Sequence, residues 1–281
     1  MSREAVDTIC ERGILALVLG ILVFGPLAMG AVGAFEFLVL QALAVGVLVL
    51  WTVRLWVHER PKLLWPPIGW AVLAFAGYAI ARYLTADIEY LARQELIRVL
   101  IYAFLFFAIL NNLHRQESTT VISFTLVFLA MAIAGYAVYQ YATGSDRVWH
   151  LVKPYQGRGS GTYICPNHLG GFLEMLLPLA LAYTLTGRLK PVTRVLMGYA
   201  ALVMTAGIVA TVSRGSWLAT GFALTLLFGV LALLRRYRLP AAALLVLLVA
   251  GLVVFVPRSF TFQSRARQLM AGDSQVRAHG R

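Results

Sequence analysis

Acidic charge is scarce in this chain. Asp and Glu number 12 in 281 residues, and all charged residues make up 13%. A water-soluble domain carries about 25%, so a soluble globular fold is excluded. Cysteine is nearly absent too. Cys10 and Cys165 are the two, which excludes a disulfide framework, and no Cys, His, Asp and Glu spacing matches a metal-ligand pattern. Long polar stretches are also lacking. The longest connection between apolar runs is about 25 residues, too short for a folded domain of its own.

What is present is hydrocarbon. Sixty per cent of the residues are hydrophobic and the mean hydropathy is +0.79. Runs of bilayer length recur along the chain, so the expectation is an all-α, polytopic transmembrane helical bundle. It forms a single transmembrane domain over residues 1–281, with about nine spans. The expected spans are Ile14–Ala34, Phe37–Val53, Leu63–Ala81, Leu96–Leu113, Thr119–Tyr141, Asn167–Thr186, Val195–Val212, Ser216–Leu234 and Leu239–Val256. The first run leads straight into a second, so it reads as a span rather than a cleaved leader. Gly25-Pro26 and Gly30 should bend or break its outer end. Residues 85–95 form the acidic loop, and residues 142–166 the long one.

Loop charge sets the orientation. Arg54, Arg60, Lys62, Arg115, Arg188, Lys190, Arg194, Arg235, Arg236 and Arg238 fall on one side. By the positive-inside rule that side is cytoplasmic. The N-terminus is then inside. The loop 142–166 and the tail 257–281 are outside. Cys10 and Cys165 fall on opposite sides. The net charge of +12 therefore reads as topology and lipid contact, and no nucleic-acid partner is expected.

Some basic residues sit on the other side: Arg147, Lys153, Arg158, Arg214, and Arg258, Arg265, Arg267, Arg277 and Arg281 in the tail. An arginine in so short a turn as Ser213-Arg214-Gly215 is costly beside hydrocarbon and needs a partner or a task. The chain turns inward twice here, from Asn167 and from Gly215. Both helix N-termini therefore face outward, where free N–H groups and the positive dipole ends favour an anion. Asn167 and Ser213 are the expected N-caps. Gly157, Gly159, Gly161, Gly170 and Gly171 would let backbone N–H groups approach a ligand. Asn167, Gly171, Glu174 and Pro178 share one helical face. The candidate site is thus a polar wall at one membrane face, built to hold phosphate.

Each signal also has a plainer explanation. Arg214 could snorkel to headgroups, and the glycines could serve a loop and a close helix crossing. Glu174 could pair with an arginine of the bundle. His168 could be a local hydrogen-bonder. A transporter would place its site at mid-membrane between repeated halves, and no repeat is visible. A structural subunit would not need Arg214 where it stands.

Two stretches carry a resemblance. The first is Gly161-Thr162-Tyr163, then Pro166-Asn167-His168-Leu169-Gly170-Gly171-Phe172-Leu173-Glu174 and Leu177-Pro178. The second is Ser213-Arg214-Gly215-Ser216-Trp217. Together they resemble the bacterial O-antigen ligase and O-antigen polymerase family. A looser third piece, Asp273-Ser274 followed by Arg277, is one residue shorter than the family's element. The resemblance spans about residues 157–277. It implies a GT-C-like membrane glycosyltransferase architecture in the bacterial inner membrane. The tail 257–281 would open a large periplasmic loop, whose continuation is expected to be missing. His279 is not equated with the histidine that the ligases carry in that loop.

The implied activity is transfer of a glycan from undecaprenyl pyrophosphate to an acceptor at the periplasmic face. In a ligase the acceptor is lipid A-core; in a polymerase it is another repeat unit; in related enzymes it is a protein hydroxyl. A transporter or an inactive remnant are the alternatives. The resemblance implies catalytic roles for Arg214, Glu174 and His168, with Arg214 on the pyrophosphate. It implies substrate binding by Arg158, Arg147, Gly161, Asn167, Gly171 and Ser213. No metal or other cofactor is required, because arginines and helix ends can hold the leaving group. The base for the acceptor hydroxyl is expected outside this sequence. Membrane lipids are the remaining partner.

Overall fold

In the computed structural model, residues 2–57, 63–186, 189–239 and 241–246 are described. Eight helices follow one another: α1 (Arg3–Leu27), α2 (Ala34–Val57), α3 (Ile68–Leu84), α4 (Glu89–Asn112), α5 (Gln116–Thr143), α6 (Pro166–Thr186), α7 (Pro191–Ala210) and α8 (Arg214–Leu233). Seven are long and apolar enough to cross a membrane. The protein is an all-α, polytopic transmembrane bundle. Helices stand in order at the places of expected spans 1 to 8, but among the described residues seven rather than eight reach spanning length. The ninth, Leu239–Val256, lies largely outside the described residues, although residues 241–246 are helical. The tail 257–281, Arg60, Lys62 and Arg188 also lie outside them.

Boundaries differ where local chemistry overrides hydropathy. Helix α1 ends at Leu27, one residue beyond Pro26, rather than at Ala34. The chain then turns through Met29, Gly30 and Ala31, all at positive φ. Helix α3 is only 17 residues and falls below spanning length. Pro66 and Pro67 stop it from extending toward Leu63. Glu89, Arg93 and Glu95 belong to the first turns of α4, so the acidic loop shrinks to residues 85–88.

Two cores form. Ile14, Val18, Leu40, Ala44, Val47, Leu105 and Ala108 knit α1, α2 and α4 together. The second core joins α5, α6 and α7 through Ala130, Ala134, Leu173, Leu177, Ala200, Met204 and Ile208. Small residues let these helices approach closely, since van der Waals contact replaces the hydrophobic drive in lipid. A Cβ on Gly207 would lie 2.7 Å from that of Ala134.

The two ends of the bundle differ. At one end Arg54 of α2 bonds Asp7 at 2.7 Å and Glu11 at 2.9 Å, both on α1, and Asn112 of α4 at 3.0 Å. Arg115 adds a contact to Glu11 at 3.3 Å. At the other end, where α5 finishes and α6 begins, lies the long loop. It carries the only strands among the described residues, a hairpin of β1 (Arg147–Val148) and β2 (Leu151–Val152). The loop is tied to α1: Thr162 Oγ1 donates to the Pro26 carbonyl at 2.6 Å and Trp149 Nε1 to that of Leu27 at 3.1 Å. Cys10 and Cys165 are free thiols. Arg98 sits at this same end, bonded to Glu95 at 2.9 Å and to the Val32 carbonyl at 3.2 Å.

Candidate functional site

A cleft of about 640 Å³ opens at the loop end, lined by Arg158, Asn167, Gly171, Glu174, Val212, Ser213, Arg214, Gly215 and Ser216. Its volume is that of a small-ligand site, roughly 300–1,000 Å³. Six of the nine residues singled out from sequence line it. Arg147, Gly161 and His168 are not among the lining residues.

One wall is the first turns of α6. The helix starts at Pro166, a favoured first position because proline has no N–H to satisfy. The Cys165 carbonyl accepts the His168 N–H at 3.1 Å. Asn167 therefore lies inside the first turn and is not the N-cap. Its Oδ1 instead accepts from Arg158 Nη2 at 3.0 Å. Asn167, Gly171 and Glu174 face the cleft at helical spacing, as their sequence positions require. Pro178 lies beyond it. His168, one position round, is exposed on another face.

The opposite wall is the α7–α8 turn. Ser213 is the N-cap of α8 and accepts from the Ser216 N–H at 3.4 Å. Arg214 occupies the first position of α8. Its guanidinium makes no hydrogen bond or ion pair with the described residues. Val212, before the cap, has φ +48°, a left-handed conformation costing a β-branched residue roughly 1–2 kcal/mol. The turn is held in place around it. The Thr211 N–H bonds the Gly207 carbonyl at 3.1 Å, and Trp217 Nε1 bonds that of Ile208 at 3.1 Å.

Arg158 comes from the loop and is engaged. Its Nε donates to the Thr211 carbonyl at 2.8 Å, and its guanidinium lies 5.9 Å from the Tyr155 ring centre. It thereby bridges the C-terminal end of α7 and the start of α6. Lys153 is buried, and its Nζ donates to the Arg158 carbonyl. Burial pulls the Lys153 ammonium below its ordinary value; Asp146 opposes this and Arg158 adds to it. Glu174, like Arg214, makes no ion pair with the described residues. Among the described residues the cleft thus holds one uncommitted cation and one uncommitted carboxylate, and the pairing expected as the plainer role of Glu174 is not formed there.

The glycines divide by role. Gly161 is buried at φ +58°, and a Cβ there would meet Ile133 Cγ2 at 2.5 Å. It lets the loop lie on α5. Gly170 faces α8, where a Cβ would fall 2.6 Å from Ser216 Cβ. Gly171 meets nothing within 4 Å and borders the open cleft.

The sequence reading passed over Gln140. This residue is 1% exposed at the end of α5. Its Oε1 accepts the N–H groups of Ser160 and Gly161, both at 2.9 Å. Its Nε2 donates to the carbonyls of Arg147 at 2.8 Å and Gly161 at 3.0 Å. The one available signal was an amide among aromatic residues in the last turn of a span. Arg147 contributes through this carbonyl, which also accepts from Tyr136 Oη at 3.3 Å.

No family model, no curated protein and no solved structure matches this chain.

Proposed function

We propose that the cleft binds the pyrophosphate of a lipid-linked glycan, and that the protein transfers the glycan to an acceptor hydroxyl. The observation that carries this is convergence. Two stretches about forty residues apart, Asn167–Glu174 and Ser213–Ser216, form the walls of one cleft, and these are the stretches that resemble the O-antigen ligase family. The donor is then an undecaprenyl pyrophosphate glycan, and lipid A-core is the leading acceptor. The loop end faces the periplasm, because Arg54, Arg115, Lys190, Arg194, Arg235, Arg236 and Arg238 gather at the other end. On this reading the bundle is a GT-C-like transferase in a bacterial inner membrane.

The chemistry follows from the wall residues. The acceptor hydroxyl oxygen attacks the anomeric carbon and gives up its proton to a general base other than these wall residues, the bond to the pyrophosphate oxygen breaks, and its electron pair stays on the pyrophosphate. Charge grows on that oxygen. Arg214, uncommitted and at a helix N-terminus, stabilises it. Arg158 stays bonded to Thr211 and Asn167 and shapes the wall. Glu174 accepts hydrogen bonds from the sugar hydroxyls. A ligand with an anionic head and neutral hydroxyls satisfies both ends of the cleft, whereas a simple anion engages the Arg214 end alone. Arg147, Gly161 and His168 carry no part of this proposal.

The test is glycan transfer by Arg214→Ala in the complete protein, with membrane level measured in parallel. The expected loss is about 100-fold or more, as for removal of one charge-stabilising group, at normal insertion. Retained transfer refutes the assignment.

A further inference from the structure

We propose that Gln140 is the positioning residue that sets Arg158 in the wall of the cleft; its ligand arm rests on the pyrophosphate reading above. An amide can accept two hydrogen bonds and donate two. Gln140 makes all four, to Ser160, Gly161 and Arg147. Turning the amide over would set its NH2 against two N–H groups and its oxygen against two carbonyls. Its orientation is therefore fixed by the loop, and the loop by it.

The segment next to Arg158 is gripped from two helices. From α5 come the Gln140 bonds, with Gly159 lying against the Ala137 carbonyl and Gly161 against Ile133. From α7, the Ala210 carbonyl accepts the Gly159 N–H at 2.8 Å. Arg158 is the next residue back, and it spans to Thr211 and Asn167. Gln140 touches no cleft surface. It acts through the backbone of residues 159–161.

The chemistry of the amide supplies a specific test. Gln140→Leu leaves the Ser160 and Gly161 N–H groups and the Gly161 carbonyl without these partners, while the Arg147 carbonyl keeps its bond from Tyr136 Oη. Gln140→Glu as a carboxylate still accepts from both N–H groups but opposes two carbonyls. Once protonated, the acid regains one donor. Gln140→Glu should therefore recover on acidification while Gln140→Leu does not.

The experiment uses the full chain in detergent, with three readouts at pH 5 and pH 7.5. These are binding of inorganic pyrophosphate, amide exchange of Ser160 and Gly161, and the rate of tryptic cleavage after Arg158, each taken relative to wild type at the same pH. For Gln140→Leu we expect binding weakened about tenfold or more at both pH values, with faster exchange and faster cleavage. For Gln140→Glu we expect the same defects at pH 7.5, shrinking toward wild type at pH 5. Unchanged cleavage in Gln140→Leu overturns the proposal. So does wild-type binding by Gln140→Leu with exchange raised, because Gln140 would then fasten the loop without placing Arg158. If the wild-type protein itself binds no pyrophosphate, the anion reading of the cleft falls. Cleavage and exchange still decide the positioning of Arg158.

Discussion

Gly170 and Gly171 are neighbours on α6, yet a methyl group on each should act in opposite directions. At Gly170 the new carbon would sit 2.6 Å from Ser216 Cβ, with Ser216 Oγ closer still. Rotating Ser216 moves the hydroxyl, at the expense of its 3.0 Å bond to Ser213 Oγ, but leaves Cβ in place. Two carbons need about 3.5 Å, so α6 and α8 must part by about 1 Å where they frame the cleft. Overpacking of this kind costs about 3 kcal/mol, against a gain of about 1 kcal/mol from replacing glycine inside a helix. Gly170→Ala should therefore destabilise by about 2 kcal/mol. Gly171→Ala meets nothing within 4 Å, so only the helix gain applies and stability rises by about 0.5–1 kcal/mol. Thermal unfolding of both variants in one detergent measures the difference. Adding Ser216→Gly, which removes both obstructing atoms, should recover much of the Gly170→Ala loss. Equal shifts for the two variants, or no recovery in the double variant, would refute the close α6–α8 crossing.

Two further perturbations probe the two ends of the bundle. Arg54→Leu removes the short ion pairs of Asp7 and Glu11, whose side chains are 19% and 14% exposed, and leaves Glu11 only the longer contact to Arg115. It should cost about 3–5 kcal/mol, and adding Asp7→Asn with Glu11→Gln should restore much of that; a thermal shift below one degree would contradict the network. At the loop end, burial pushes the Tyr163 phenol from its ordinary 10 up to about 12. Below pH 10 both folded and unfolded chains keep that proton. Between pH 10 and 12 the unfolded chain releases it first, so stability falls, by about 2–3 kcal/mol in total. Tyr163→Phe should lack this part of the alkaline loss, and an identical pH profile for the two proteins would count against the burial of Tyr163.

The helices were legible because their cause is local. In lipid every backbone group must be satisfied within its own segment, so hydropathy, length and the Gly25-Pro26 break were enough to order α1 to α8. The helical period likewise put Asn167, Gly171 and Glu174 on one face before any fold was known. Ser213 as the cap of α8 was legible for the same reason.

What the sequence could not decide depends on partners far along the chain. Arg158 finds the Thr211 carbonyl 53 residues away, Gln140 finds Gly161 21 residues away, and Thr162 finds Pro26 136 residues away. Nothing in the local pattern separates Gly170, pressed on Ser216, from Gly171, open to the cleft. Nor does it show that Asn167 answers an arginine instead of capping α6, or that Arg214 and Glu174 stay unpaired while facing one space. Hydropathy is a property of each segment taken alone, and so the sequence determined the spans and the side on which the polar residues gather. The cleft is a property of how four helix ends and one loop pack together. Only the tertiary structure decided which of those polar groups are already bonded to one another and which stand open at the cleft.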